Sequence, residues 1–168
     1  MADEHVISRR EFIKVTSIIG SGFAIGFNSL IGSKHQASNF SPDTFVNVLS
    51  DDTIILSVSK AEMGQGVWTS LPMLIAEEME ASWDKVKVNQ TSKDSFMGTG
   101  GSMSIKDYGW KKMRKSGAIA KYMLIEAAAL KWKVSPLECE AKNSVVVHRK
   151  SGKKCSYGSL VEEASKIK

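Results

Sequence analysis

Glu62-Met63-Gly64-Gln65-Gly66-Val67 follows the run Ile54-Ile55-Leu56-Ser57-Val58-Ser59 after Lys60-Ala61 and stands directly before Trp68-Thr69-Ser70-Leu71-Pro72-Met73-Leu74-Ile75-Ala76-Glu77-Glu78. The first run is apolar and β-branched, which suits a strand. In the second, Trp68, Leu71, Ile75 and Met79 recur at three- and four-residue steps, which predicts an amphipathic helix over Val67 to Ala81. Pro72 must then lie in the first turns or bend that helix. Between strand and helix, two glycines bracket one amide side chain. Such a turn exposes backbone N–H groups and lets a large ligand come close. It is not the dinucleotide fingerprint, because Thr69 stands where a third glycine belongs. A tight connection with no ligand is the plainer reading of the same residues.

Upstream, Thr44-Phe45-Val46-Asn47-Val48-Leu49 is a second strand, and Ser50-Asp51-Asp52-Thr53 supplies a turn into Ile54. Two β-branched runs around an Asp-rich turn make a hairpin. Residues 38–43 read as a polar linker. Residues 1–37 stand apart from the fold as a twin-arginine signal segment, carried by Ser8-Arg9-Arg10-Glu11-Phe12-Ile13-Lys14 and the soft apolar run Val15 to Ile31. That run holds Gly20, Gly22 and Gly26, and a permanent membrane span is longer and more apolar. Export in the folded state is the expectation, to the periplasm or the outer face of the inner membrane. His35-Gln36-Ala37 is a poor small-x-small cleavage site, so a retained anchor stays open.

Downstream, Trp83-Asp84-Lys85-Val86-Lys87-Val88 alternates as a strand does. A second small-residue loop, Gly98-Thr99-Gly100-Gly101-Ser102, can form an anion-binding nest or be merely flexible. The longest helix is expected over about Ile105 to Trp132. Its face of Trp110, Met113, Gly117, Ala120, Leu124 and Ala127 is small in the middle, which predicts close packing on another element. Ser135-Pro136-Leu137-Glu138 is a short helical start with Ser as N-cap and Pro first. Val145-Val146-Val147 is a strand, Arg149 to Gly152 turns it, Lys153-Lys154-Cys155 returns, and Ser156 caps a last helix through Ala164. The fold class is therefore α+β: β-hairpins and short strands packed with two or three helices, without the regular βαβ alternation of a doubly wound sheet. The domain proper is residues 44–168.

Composition is that of a soluble globular chain of 168 residues, 42% hydrophobic and 24% charged. The net charge of +5 is spread out, with its densest cluster at Lys111, Lys112, Arg114 and Lys115. No nucleic-acid motif accompanies it, so a solvated helix face or a groove for an anionic cofactor remains. Two cysteines, Cys139 and Cys155, without a CxxC pair do not make a zinc or iron–sulfur site. They read as free thiols, with a disulfide open to an exported protein. His148 has no evident acid beside it and reads as a surface histidine. Glu62, Glu77 and Glu78 are acids or bases by type, the latter two better explained as a helix face. The tryptophans and methionines read as core. Gln65 is the sharpest candidate, since an amide donates and accepts without bringing charge.

Glu62-Met63-Gly64-Gln65-Gly66-Val67 followed by Leu71-Pro72-Met73-Leu74-Ile75-Ala76-Glu77-Glu78 resembles the molybdenum-binding large subunit of the xanthine dehydrogenase/aldehyde oxidase family, most of all the isoquinoline 1-oxidoreductase beta-subunit type. Thr99-Gly100-Gly101-Ser102, the helix near Trp110 and the tail Ser151 to Leu160 extend the resemblance over about residues 44–167. It implies a molybdopterin cofactor carrying molybdenum, in the cytosine dinucleotide form, and oxidation of an N-heterocycle or an aldehyde with water-derived oxygen. Electrons then leave through a separate small subunit with [2Fe–2S] clusters. By the same resemblance Gln65 bonds ligands at the metal centre, Gly64 and Gly66 shape the loop, and Thr99, Gly100, Gly101 and Ser102 contact the cofactor. No residue of this chain is implied as a direct metal ligand. Met103 departs from the usual small polar or basic residue. The family's catalytic glutamate lies far downstream and has no counterpart here, and the family subunit is several times longer. The chain is thus expected to be the N-terminal portion of such a subunit, inactive alone. A small exported binding module or an inactive remnant is the alternative.

Overall fold

The computed structural model describes residues 39–43, 45–90 and 101–167, apart from the side chains of 107 and 108. The twin-arginine segment, Thr99 and Gly100 lie outside the described residues.

Two sheets and two long helices make the fold. The first sheet orders its strands β1 (Asn39–Phe40), β2 (Val46–Leu49), β3 (Ile54–Val58) and β4 (Val86–Gln90). The expected hairpin is β2–β3, antiparallel, with Val46 opposite Leu56. Its turn is closed by Leu49 N–H to Thr53 O at 2.9 Å and Thr53 N–H to Asp51 Oδ1 at 2.9 Å. Residues 38–43 are not merely a linker: Asn39–Phe40 pairs with Leu49 and Val48 as an edge strand, and Phe40 is buried in the core. One aromatic ring with somewhere to go outweighs the polar residues around it.

β4 runs parallel to β3, with Ile54 opposite Val86 and Val58 opposite Gln90. Parallel neighbours need a crossover of a dozen or more residues, and α1 (Val67–Met79) supplies it. One βαβ unit is therefore set into a hairpin sheet. The strand begins later than alternation suggests, because Trp83–Lys85 forms a turn of 3-10 helix first. Ile54, Leu56 and Val58 face the core on one side of β3, and Leu71, Ile75 and Met79 of α1 meet them in the same buried cluster.

α2 (Trp110–Trp132) is entered through a helical turn at Gly101–Met103 and a six-residue π-helical segment, Ser104–Gly109. The small residues in its middle pack as expected. A Cβ on Gly117 would lie 2.5 Å from the Ile75 carbonyl oxygen and 2.8 Å from Glu78 Cβ, so α1 and α2 touch backbone to backbone there. Both helices end on a residue other than glycine in the left-handed region, Glu80 at φ 55° and Lys133 at φ 57°.

The second sheet is antiparallel, in the order β5 (Cys139–Lys142), β6 (Val145–His148), β7 (Lys154–Ser156). β5 is polar in sequence and carries no strand signal of its own; it follows the Pro136–Glu138 turn, whose N-cap is Ser135 as expected. The tight turn between β5 and β6 is stitched to the end of α1. Ser144 N–H donates to Glu80 O at 2.9 Å, Ser82 N–H donates to Ser144 Oγ at 2.8 Å, and Tyr157 N–H donates to Ser144 O at 3.1 Å. The Tyr157 hydroxyl, fully buried, donates to Met79 O. Burial, helped by the Glu80 carboxylate, pushes that phenol above its ordinary range. A last helical turn, α3 (Val161–Ala164), closes on the core.

Of the four tryptophans only Trp132 packs against the core, partly buried. Trp68, Trp83 and Trp110 are exposed by a third or more, and the buried stripe of α1 starts at Val67 instead. The methionines divide: Met79 and Met113 are buried, whereas Met63, Met73 and Met103 are exposed.

Candidate functional site

The loop before α1 is held from within. Gly64 and Gly66 sit at φ 91° and 78°, where a side chain would strain the backbone, and a Cβ on either would meet nothing within 4 Å. Glu62 lies across the loop. Its Oε1 accepts from Gly64 N–H at 2.8 Å and Gly66 N–H at 3.0 Å, and its Oε2 accepts from Trp68 N–H at 3.0 Å. The N–H groups expected to be open to a ligand are thus already turned on a carboxylate of the same chain. Those bonds, from Trp68 and Gly66 above all, hold Glu62 below the ordinary carboxylate range. Glu62 is therefore a carboxylate cap on the loop, with both oxygens engaged by backbone donors.

Gln65 also folds back. Its amide donates to Ala61 O at 2.7 Å and accepts from Met63 N–H at 2.5 Å. One N–H and one lone pair of the amide remain for a ligand. The indole of Trp68 donates to Lys60 O at 3.2 Å, fastening the end of β3 to the start of α1.

Gln65, Gly101 and Ser102 line a single cavity of about 730 Å³. Two segments about forty residues apart in sequence thus meet at one space. Gly64 and Gly66 shape its wall without lining it. Ala61, Met63 and Val67 of the same loop also line it, and sequence reasoning missed Lys60, Ser70, Ser104, Ile105, Lys106 and Trp110. Ser104 and Ile105 follow Gly101 by three and four residues, so reading helix from Gly101 onward would have found them. Ser104 Oγ instead turns back to Gly101 O at 2.9 Å. π-helical turns recur at functional sites because they re-aim side chains within a helix. Lys60 is only 6% exposed, whereas Met63 (74%) and Met103 (71%) stand out in solvent.

The basic cluster at the start of α2 is divided. Lys112 Nζ lies 4.8 Å over the Phe45 ring, and Arg114 pairs with Glu78. His148 is buried, at 6% exposure, not a surface histidine. Its Nε2 is 3.2 Å from Glu138 Oε2 and its Nδ1 is 2.6 Å from Ser151 Oγ. The pairing of Cys139 with His148 across β5 and β6 brings the preceding Glu138 alongside. Lys150 first, and His148 next, hold the Glu138 carboxyl below its ordinary range. Lys153 N–H also donates to Ser151 Oγ at 3.4 Å, which makes the group a lock on the β6–β7 turn. The two cysteines are free. β6 separates their strands, roughly 10 Å at ordinary strand spacing, too far for a disulfide. Burial, and then the Glu138 charge, push the Cys139 thiol up.

Among the described residues no group of three His, Cys, Asp or Glu could hold a metal ion. Nor is any helix among them long and apolar enough to cross a membrane.

A family model described as the molybdopterin cofactor-binding domain matches residues 4–168, and the chain belongs to that family. It is 31% identical over 170 residues to the isoquinoline 1-oxidoreductase subunit beta of Brevundimonas diminuta, covering 92% of this chain and 22% of that one. It is 33% identical over 167 residues to the membrane-bound aldehyde dehydrogenase [pyrroloquinoline-quinone] of Gluconacetobacter polyoxogenes, covering 92% of this chain and 21% of that one. The chain thus spans about a fifth of the length of these curated relatives. Among solved structures, quinoline 2-oxidoreductase from Pseudomonas putida 86 shares its fold at a TM-score of 0.57, with 17% identity over 69% of this chain and 15% of that one. The Cu,Mo-CO dehydrogenase does so at 0.57, with 18% identity over 68% of this chain and 15% of that one. The α+β architecture is that of molybdenum-binding domains.

Proposed function

We propose that this chain is the N-terminal portion of a molybdenum hydroxylase large subunit and forms one wall of its molybdopterin site. The reaction is oxidation of an isoquinoline-like heterocycle or an aldehyde with water-derived oxygen. The observation that carries the reading is the meeting of Gln65 with Gly101 and Ser102 at one cavity. The lining suits a large anionic group that carries its own metal ligands. It offers an uncharged amide, serine hydroxyls at 70, 102 and 104, and two lysines, 60 and 106, beside the apolar Val67, Ile105 and Trp110.

The bound molybdopterin would supply two-electron redox chemistry at molybdenum. This chain's share is to bind and orient. Gln65 offers its remaining N–H or lone pair without adding charge. Ser102 can donate a hydrogen bond, and the oxygens of Ser70 and Ser104, whose hydrogens go to Gly66 O and Gly101 O, can accept one. Trp110 and Ile105 cover apolar surface and exclude water. The cytosine dinucleotide form and a small [2Fe–2S] partner subunit belong to the same proposal as implications of the sequence resemblance. A further subunit is supported by the words "subunit beta" in one relative's name, the remainder of the large subunit by the fifth of its length that this chain spans, and twin-arginine export by Arg9-Arg10.

Purification of the complex that contains this chain from its native host tests the reading. Molybdenum by metal analysis, and a fluorescent pterin after oxidation, are expected in proportion to the chain. A complex holding neither, or holding a quinone in their place, would overturn it; the first outcome would leave a small binding module or an inactive remnant.

A further inference from the structure

The loop's N–H groups form an anion-binding nest at the start of a helix, and the chain fills it with its own Glu62. Three backbone donors, from Gly64, Gly66 and Trp68, converge on two carboxylate oxygens at 2.8 to 3.0 Å. The cap residue of α1, Gly66, makes no side-chain cap bond of its own, so Glu62 takes over that role from outside the helix. Packing does not hold the loop, because every residue from 61 to 66 is exposed and both glycines face open space. What holds it is the Glu62 carboxylate, together with the two bonds that fold Gln65 onto Ala61 and Met63.

We infer that Glu62 is the positioning residue of this site: it shapes the Gly64–Gly66 loop, presents Gln65 at the cavity edge, and closes the helix start to any outside anion. Removing the carboxylate then does two things at once. The loop loses its internal order, and the three N–H groups become a vacant nest that a free carboxylate can occupy. The inference stands on the loop's own geometry, and its test reads backbone amides without any cofactor. Its failure and the failure of the molybdopterin reading are therefore told apart.

The full chain, labelled with nitrogen-15, is compared as wild type, Glu62→Ala and Glu62→Gln by amide spectra and hydrogen exchange near neutral pH. In Glu62→Ala the amides of Gly64, Gly66 and Trp68 should lose protection by about tenfold, the loss expected with a charge-assisted bond. Amides of Ala120 and Leu124 in α2 should stay protected, which shows that the variant is folded. Sodium acetate or formate should shift the three loop amides of Glu62→Ala back toward their wild-type positions. Glu62→Gln keeps one acceptor oxygen and the shape, so it should lose less protection and respond less to acetate. Wild-type loop amides should ignore both acetate and inorganic phosphate. Unchanged loop protection in Glu62→Ala overturns the inference. So does acetate or phosphate moving the wild-type loop amides as far as those of the variant.

Discussion

Two places in this chain depend on glycine for opposite reasons. At Gly64 and Gly66 the backbone is left-handed and the space beyond is open. At Gly117 there is no space at all, because the Ile75 carbonyl and Glu78 Cβ stand where a side chain would go. The first pair serves conformation and the second serves volume. The loop is exposed and is held by bonds between residues at most six apart in sequence. The helix crossing is buried and joins elements about forty residues apart. A loop tied locally can be rebuilt without unfolding the domain, which is what a ligand-facing wall needs. A crossing tied globally cannot.

The largest expected effect is therefore at the crossing. Gly117→Ala should destabilise the domain by about 1–3 kcal/mol, as overpacking of a tight core contact does. Urea unfolding should show a lower midpoint at unchanged slope. An unshifted midpoint would mean that α1 and α2 are not in backbone contact. Tyr157→Phe comes next, at about 1–3 kcal/mol, because it leaves the buried Met79 carbonyl without its donor. That loss should appear in the same unfolding curve, with the loop amides unaffected.

At the loop the same kind of substitution should be felt differently. Gly64→Ala puts a side chain at φ 91° with nothing to clash against, so its cost is backbone strain of about 1–2 kcal/mol. It should loosen exchange at Gly64 and Gly66 and leave α2 protected. Acid sharpens the contrast. Glu62 is held below its ordinary value of 4.5 in the folded chain, so its contribution is fully present above that value. It is lost as pH falls through the lowered one. Loop amides should therefore become exchangeable in mild acid while the α1–α2 contact persists, and Glu62→Gln should abolish that dependence. The smallest effect on stability is expected from Trp110→Ala, within about 0.5 kcal/mol, as for exposed positions elsewhere. Its consequence should appear instead as weaker retention of molybdenum by the native complex.

Much of the site was legible because glycine, proline and capping residues act locally. Gly64 and Gly66 announce a left-handed turn wherever they are placed, and Ser135-Pro136 announces a helical start. Trp68 misled because one apolar period fits two helix faces. Val67, Leu71 and Ile75 satisfy it as well as Trp68, Leu71 and Ile75, and only the neighbouring sheet chooses between them. β5 was hidden because Cys-Glu-Ala-Lys has no strand signal of its own and exists as the partner of β6. His148 followed it, since burial and the approach of Glu138 both come from that pairing.

By itself the sequence determined the α+β class, the order of strand, glycine loop and helix, the closeness of packing at Gly117 and the family to which the chain belongs. Each of these rests on residues within one turn or one strand of each other, where backbone sterics and side-chain period act directly. Only the tertiary structure decided that β4 lies parallel to β3, that the Gln65 loop and the Gly101–Ser102 turn share a cavity, and that the loop's anion nest is filled by Glu62. The first two are matters of which distant surfaces bury each other. The last is a choice among acceptors for the same three N–H groups, made by whichever carboxylate the folded loop brings within 3 Å.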